Sequence, residues 1–159
     1  MSSQPPGGTD IEMEIRRAVP GNLEQTASLL RAAELPPILD GFPLPNVLVC
    51  LQTGSVIGVV ALEVRGLRGL VRSLAVDPSH SRQGVGTSLL DSLMARAHEL
   101  SLRELYLLTE NSKEFFARSG FAPVSRESVP QAIRSTREYR EQCPETTTVM
   151  RLDLATRCM

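Results

Sequence analysis

All but one of the 17 basic residues in this chain of 159 are arginine. The lone lysine, Lys113, sits between Ser112 and Glu114, so no Gly-Lys-Ser/Thr step exists and a P-loop is excluded. Tryptophan is absent and the formal charge is −1. A nucleic-acid surface would need a clustered basic excess, which is missing, so no nucleic-acid partner is expected. Cys50, Cys143 and Cys158 are odd in number and lack any C-x-x-C step, which argues against a disulfide framework. No Cys/His group has metal-ligand spacing, and His80 and His98 stand isolated, so no metal is expected. No signal peptide or apolar run of membrane length is visible, so the chain reads as cytoplasmic, with reduced thiols and no membrane partner. Gly-x-Ser-x-Gly is absent, which removes a hydrolase elbow.

What is present reads as one domain over residues 13–154, between a polar tail at 1–12 and a loose tail at 155–159. Met13 to Val19 is a predicted strand, followed by a helix that Asn22 caps with Gln25 as its capping-box partner. Leu23, Thr26, Leu29, Leu30 and Ala33 form the apolar side of that helix. A proline-rich loop to Pro45 leads into two apolar strands, Asn46–Gln52 and Val56–Val64, separated by Thr53-Gly54-Ser55. Strands follow at Leu70–Val76, Glu104–Leu108, Phe121–Val124 and Thr146–Leu152. Ser112 is expected to cap a short helix closed by Gly120, and a solvated helix is expected from Val129-Pro130 to about Gln142, with Arg134–Glu138 and Arg137–Glu141 as its i,i+4 pairs. Neighbouring strands that are apolar on both faces imply a sheet covered by helices on each side, an α/β arrangement.

The chain is organised around residues 70–100. The strand Leu70–Val76 ends at Asp77-Pro78, because proline lacks a ladder donor. After Arg82-Gln83-Gly84-Val85-Gly86-Thr87, the residues Val85, Leu89, Leu90, Leu93, Met94, Ala97 and Leu100 recur on one helical face. Two glycines are thus delivered to the start of a long helix, whose first N–H groups lack internal partners and whose dipole end is positive. That is a site for a phosphate-bearing group. A dinucleotide fingerprint would need a third glycine where Leu89 stands.

At Ser73-Leu74-Ala75-Val76-Asp77-Pro78 and Arg82-Gln83-Gly84-Val85-Gly86 the chain resembles the GNAT family of acyl-CoA-dependent N-acetyltransferases. Phe115-Phe116-Ala117-Arg118-Ser119-Gly120-Phe121 is similar to that family's later Phe-Tyr-x-x-x-Gly-Phe segment. The resemblance spans roughly 14–154 and implies the GNAT fold, a central mixed, mostly antiparallel sheet with helices on both faces. It implies acetyl-CoA as co-substrate, with Ser81, Arg82, Gln83, Gly84, Val85, Gly86 and Thr87 at the pyrophosphate. Leu74, Ala75 and Val76 would pair with the pantetheine arm, and an N–H near Leu74 would face the thioester oxygen. Two residues depart from the family pattern: Ser81 where Arg or Gln is usual, and Phe116 where tyrosine is usual. The segment from Arg126 to Pro144 is similar to arsenic-resistance-associated members and to short amino-acid N-acetyltransferases of the glutamate type.

Acetyl transfer to an amine needs a group to take the ammonium's proton. Glu63 is the candidate, being the one acidic residue in the apolar run Val56–Val64; the competing reading is an ion pair with Arg72 on the next strand. Glu110 is held in reserve. Arg126 and Arg134 are the candidates to pair with a carboxylate or oxyanion of the acceptor. The function expected is direct transfer from acetyl-CoA to the amine of a small amino-acid-like molecule. A catalytically weak acyl-CoA-binding sensor or partner domain is the alternative, and Ser81 and Phe116 speak for it. Assembly as a homodimer stays open.

Overall fold

The computed structural model describes residues 13–38, 41–81, 83–141 and 146–154. Both expected tails, Arg82, Cys143 and Cys158 lie outside those residues. Twelve elements follow in order: β1 Met13–Arg17, α1 Leu23–Ala32, β2 Val47–Gln52, β3 Ser55–Arg65, β4 Arg68–Val76, α2 Val85–Glu99, β5 Glu104–Thr109, α3 Lys113–Ala117, β6 Ala122–Pro123, α4 Gln131–Arg134, α5 Arg137–Glu141 and β7 Thr148–Asp153. The strands form one sheet in the order β1-β2-β3-β4-β5-β7-β6. β1 runs antiparallel to β2, and β7 antiparallel to both β5 and β6, while β4 runs parallel to β5. This is the mixed sheet that the resemblance to the GNAT family implied.

By their contacts the residues divide into two units, Met1–Val60 with Ser73–Ser92, and Ala61–Arg72 with Leu93–Met159. In the first, Met13 pairs with Gln52 and Arg17 with Leu48. The turn between β2 and β3 has Thr53 at φ 48° and Gly54 at φ 82°, the left-handed pair whose twist matches a two-residue hairpin. Asn22 does not cap α1. Its Oδ1 accepts instead from the Val19 N–H, and Gln25 Oε1 accepts from the Val56 N–H of β3. Thr26 and Leu30 are buried on α1, whereas Leu23 is exposed. Gly58 of β3 lies directly under the start of α2: a Cβ there would come within 2.8 Å of Val85 Cγ1 and 2.9 Å of Leu89 Cδ1. The missing side chain is what lets the helix begin so close to the strand.

In the second unit, β4 pairs with β5 over Arg68–Leu70 against Glu104–Tyr106. Leu70, Tyr106, Val129, Ile133 and Val149 form a buried cluster, with Leu108, Val124 and Tyr139 packed on it. Burial of each such side chain contributes roughly 1.5–3 kcal/mol. Ser112 makes no side-chain cap on α3, and Gly120 follows that helix at φ 104°. The strand expected at 121–124 is only Ala122–Pro123; the Phe121 N–H is given to the Phe116 carbonyl at the end of α3 instead of to a neighbouring strand. The single helix expected over 130–142 is two, α4 and α5. Thr136, fully buried between them, donates its hydroxyl to the Ile133 carbonyl and accepts from the Tyr139 N–H. A hydroxyl that accepts from the third helical amide is an N-cap, so the chain restarts there.

Candidate active site

The loop from Asp77 to Thr87 is built by local bonds. Asp77 Oδ1 accepts from the Ser79 N–H at 3.0 Å and hydroxyl at 2.9 Å, which holds the Asp77 carboxyl below its usual range. The Asp77 N–H donates to the Ile57 carbonyl of β3, which anchors the end of β4. His80 and Ser81 donate back to the Asp77 and Pro78 carbonyls, and Gln83 to that of His80. The His80 ring bridges Gln52 Oε1, 2.7 Å from Nε2, and the Ser79 hydroxyl, 3.1 Å from Nδ1. Gly84 then turns at φ 77° with open space where a Cβ would stand. Val85 is seated in the core at 2% exposure while Ser81, Gln83, Gly84 and Thr87 face outward. A left-handed glycine with an open face before the free amides of a 15-residue helix suits an anionic group such as a pyrophosphate.

Upstream, Ser73 is buried inside β4 yet adopts φ 61°. A non-glycine residue in that region within a strand marks a local bulge, which re-aims the backbone that follows it. Leu74 and Val76 are half-buried beyond it and Ala75 is buried.

In the second unit the ionisable groups gather on β3, β4 and α5. Glu63 is gripped by two arginines: Arg72 Nη1 donates to Oε1 at 2.9 Å, and Arg65 Nη2 and Nε to Oε2 at 2.6 and 3.1 Å. The pairing with Arg72 that strand register suggested is therefore made. Arg72 is only 8% exposed, and its Nε has no hydrogen-bond partner, Glu138 Oε1 lying 3.5 Å away. Burial raises the Glu138 carboxyl above its usual value; Arg72 opposes that, and Glu63 and Glu141 add to it. Sequence reasoning missed Glu138, having paired it with Arg134 along one helix. Glu110 is exposed and accepts from the Thr146 hydroxyl at 3.4 Å.

Arg126 donates from Nη2 to the Thr147 carbonyl at 2.8 Å and lies over the Tyr139 ring, 5.4 Å from its centroid. Arg134 donates to the Val129 and Arg126 carbonyls at 2.9 and 2.8 Å. The structure thus brings Arg126, Arg134 and Tyr139 together, while Glu138, the residue before Tyr139 on α5, faces Arg72. Phe116 is buried between Phe115 and Phe121, edge to face with both. Burial first, then its bond to Glu104, raises the Tyr106 hydroxyl, which donates to Glu104 Oε1 at 3.1 Å. Among the described residues no group of three His, Cys, Asp or Glu could hold a metal ion, and no helix is long and apolar enough to cross a membrane.

Residues 43–123 match the family model described as "Acetyltransferase (GNAT) domain". An amino-acid acetyltransferase of Mycobacterium tuberculosis is 38% identical over 88 residues, which cover 52% of this chain and 50% of the relative. One of Salmonella typhi is 28% identical over 148 residues, covering 85% of this chain and 33% of the relative. The chain thus spans about half the length of the first of these curated relatives and a third of the second. Among solved structures, a Mycobacterium tuberculosis protein in complex with CoA superposes with a TM-score of 0.72 at 26% identity, over 88% of this chain and 98% of that one. The N-acetylglutamate synthase of Neisseria gonorrhoeae, complexed with coenzyme A and N-acetyl-glutamate, gives a TM-score of 0.79 at 24% identity, over 90% of this chain and 35% of that one.

Proposed function

Because the chain belongs to the GNAT acetyltransferase family, we propose that it transfers an acetyl group from acetyl-CoA to the amine of a small amino-acid-like acceptor. The observation that carries the reading is the loop at Gly84, left-handed and open, before the amides that start α2. Gly84, Val85, Gly86 and Thr87 would hold the pyrophosphate with their N–H groups, helped by Ser81, Gln83 and Arg82. Leu74, Ala75 and Val76, re-aimed by the bulge at Ser73, would offer their backbone to the pantetheine amides. The acetyl thioester supplies the activated carbonyl.

On the acceptor side, Arg126 and Arg134 would take the carboxylate. A guanidinium carries five N–H donors, and the bonds to backbone carbonyls occupy one on Arg126 and two on Arg134. Those bonds fix both groups in place before the acceptor arrives, which limits the ordering cost of binding. Glu63, fixed by Arg65 and Arg72, would add negative charge that favours the acceptor's ammonium. The relatives named amino-acid acetyltransferase support an amino acid as the acceptor class. The reading places the protein in the cytoplasm and allows a homodimer.

The test is release of CoA from acetyl-CoA with a panel of amino acids that begins with L-glutamate. Turnover with at least one amino acid is expected, and Arg126→Ala should raise the KM of that acceptor while leaving the KM of acetyl-CoA unchanged. A second reading, an acyl-CoA-binding domain without transfer, draws on Phe116, which is buried in an aromatic cluster and has no proton to give. Stabilisation by acetyl-CoA without CoA release from any amine would favour that reading.

A further inference from the structure

The guanidinium of Arg72 is shared unequally by two carboxylates. Glu63 receives a short bond from it, and the other Glu63 oxygen is occupied by Arg65. Glu138 stands 3.5 Å from Arg72 Nε, too far for a good hydrogen bond, and that buried Nε has no other partner. Glu138 therefore faces a positive charge without taking a short hydrogen bond from it. The next residue on α5, Tyr139, carries Arg126 over its ring. A zwitterionic amino acid needs a cation for its carboxylate and a carboxylate for its ammonium, and the second unit carries candidates for both in Arg126 and Glu138.

We infer that Glu138 takes the proton from the acceptor's ammonium, with Arg72 as its positioning residue; this rests on the N-acetyltransfer reading. An N–H bond of the ammonium breaks and an O–H bond forms on Glu138. The neutral nitrogen then attacks the thioester carbonyl: a C–N bond forms, the C–S bond breaks and the electron pair leaves on the CoA thiolate. The second amine proton, lost as the amide forms, balances the thiolate's proton demand, and Glu138 returns its own to water. Three charged groups act on Glu138: Arg72 from β4, Glu63 from β3 (itself paired with Arg65), and Glu141 on its own helix. Burial and the two carboxylates hold its proton affinity above that of an ordinary glutamate, which is what a base working near neutrality requires.

The experiment is the pH profile of kcat/KM for CoA release, with the fastest amino acid of the panel, in wild type, Glu138→Gln, Glu138→Asp and Glu63→Gln. Wild type should show a limb that rises with pH and that Glu138→Gln abolishes, with kcat lower by about 10²–10⁴ and acetyl-CoA binding intact. Glu138→Asp should keep the limb at reduced kcat, which separates lost chemistry from lost folding. Glu63→Gln should move the limb to lower pH, because one of the charges that raises Glu138 is gone. A Glu138→Gln enzyme within tenfold of wild type, its limb unmoved, would overturn the inference and leave the acetyltransfer reading standing. So would a Glu138→Asp enzyme that folds and has lost the limb. A wild-type chain that releases no CoA with any amino acid would overturn both.

Discussion

Replacing Gly58 by alanine probes how the start of α2, and the loop before it, is held. The added Cβ would lie 2.8 Å from Val85 Cγ1, 2.9 Å from Leu89 Cδ1 and 3.5 Å from the Ala75 carbonyl oxygen. Carbon atoms pack best at about 3.5–4.0 Å, so the methyl overlaps two side chains that are 2% and 0% exposed. Leu89 can swing its terminal carbon aside. Val85 is β-branched in a helix and has one good rotamer, so the start of α2 must move. Such overpacking costs about 1–3 kcal/mol, partly offset by about 0.4–1 kcal/mol from the stiffer unfolded chain. At about 2–4 °C per kcal/mol for a chain of this size, Tm should fall by several degrees. Val85→Ala alone deletes two buried carbons and costs about 1.6 kcal/mol or more. The double variant should be less destabilised than the sum of the two, by about 0.5–3 kcal/mol, since the second change makes the room that the first needs. Urea unfolding of all four proteins measures this. Additivity within about 0.5 kcal/mol, or an undiminished Tm for Gly58→Ala, would refute the reasoning.

Acetyl-CoA at about a hundred times its Kd should stabilise wild type by about 2.7 kcal/mol, and Gly84→Glu should abolish that thermal shift measured against its own ligand-free Tm. Tyr106→Phe and Tyr139→Phe should each lower kcat for CoA release by less than about tenfold. A loss of about a hundredfold in either, at unchanged KM, would mean that a tyrosine supplies the proton Phe116 cannot. Because the folded state raises the Glu138 carboxyl, its contribution is complete below the ordinary glutamate value of 4.5 and is lost as pH rises through the folded value. Wild-type Tm should therefore fall more steeply over that window than that of Glu138→Gln, and parallel slopes would contradict the assigned shift.

What the sequence made legible is local. α2 announces itself by seven apolar residues on one face, and the loop before it by glycine spacing, because both are settled within a dozen residues. The Glu63–Arg72 pair was legible for a related reason: consecutive strands joined by a short turn put the two side chains within reach. What stayed hidden depends on distant partners. Gln25 reads as a capping-box residue, but the Val56 N–H of β3 competes for its carboxamide and wins. Glu138 reads as the partner of Arg134, yet Arg134 turns two of its donors onto the Val129 and Arg126 carbonyls, and Glu138 faces Arg72 instead. The break at Thr136 escaped notice because a threonine inside a helical pattern is ordinary. Only its complete burial, with the hydroxyl bridging the Ile133 carbonyl and the Tyr139 amide, turns it into a joint.

The two ends of the sheet differ in a way that bears on how such a chain behaves when crowded. One terminal strand, β6, is two residues long, and one of them is Pro123, which has no N–H to offer a newcomer. The other, β1, is charged at three of its five residues, with Glu14, Arg16 and Arg17 exposed. A strand from a second molecule would find too few donors at one rim and a charged strand at the other. Enzymes that must stay dispersed at high concentration need such blunt rims, since a long apolar strand left open is a template for fibres. Here the blunting sits in two short segments, and replacing Pro123 or the β1 charges would remove it without touching the chemistry.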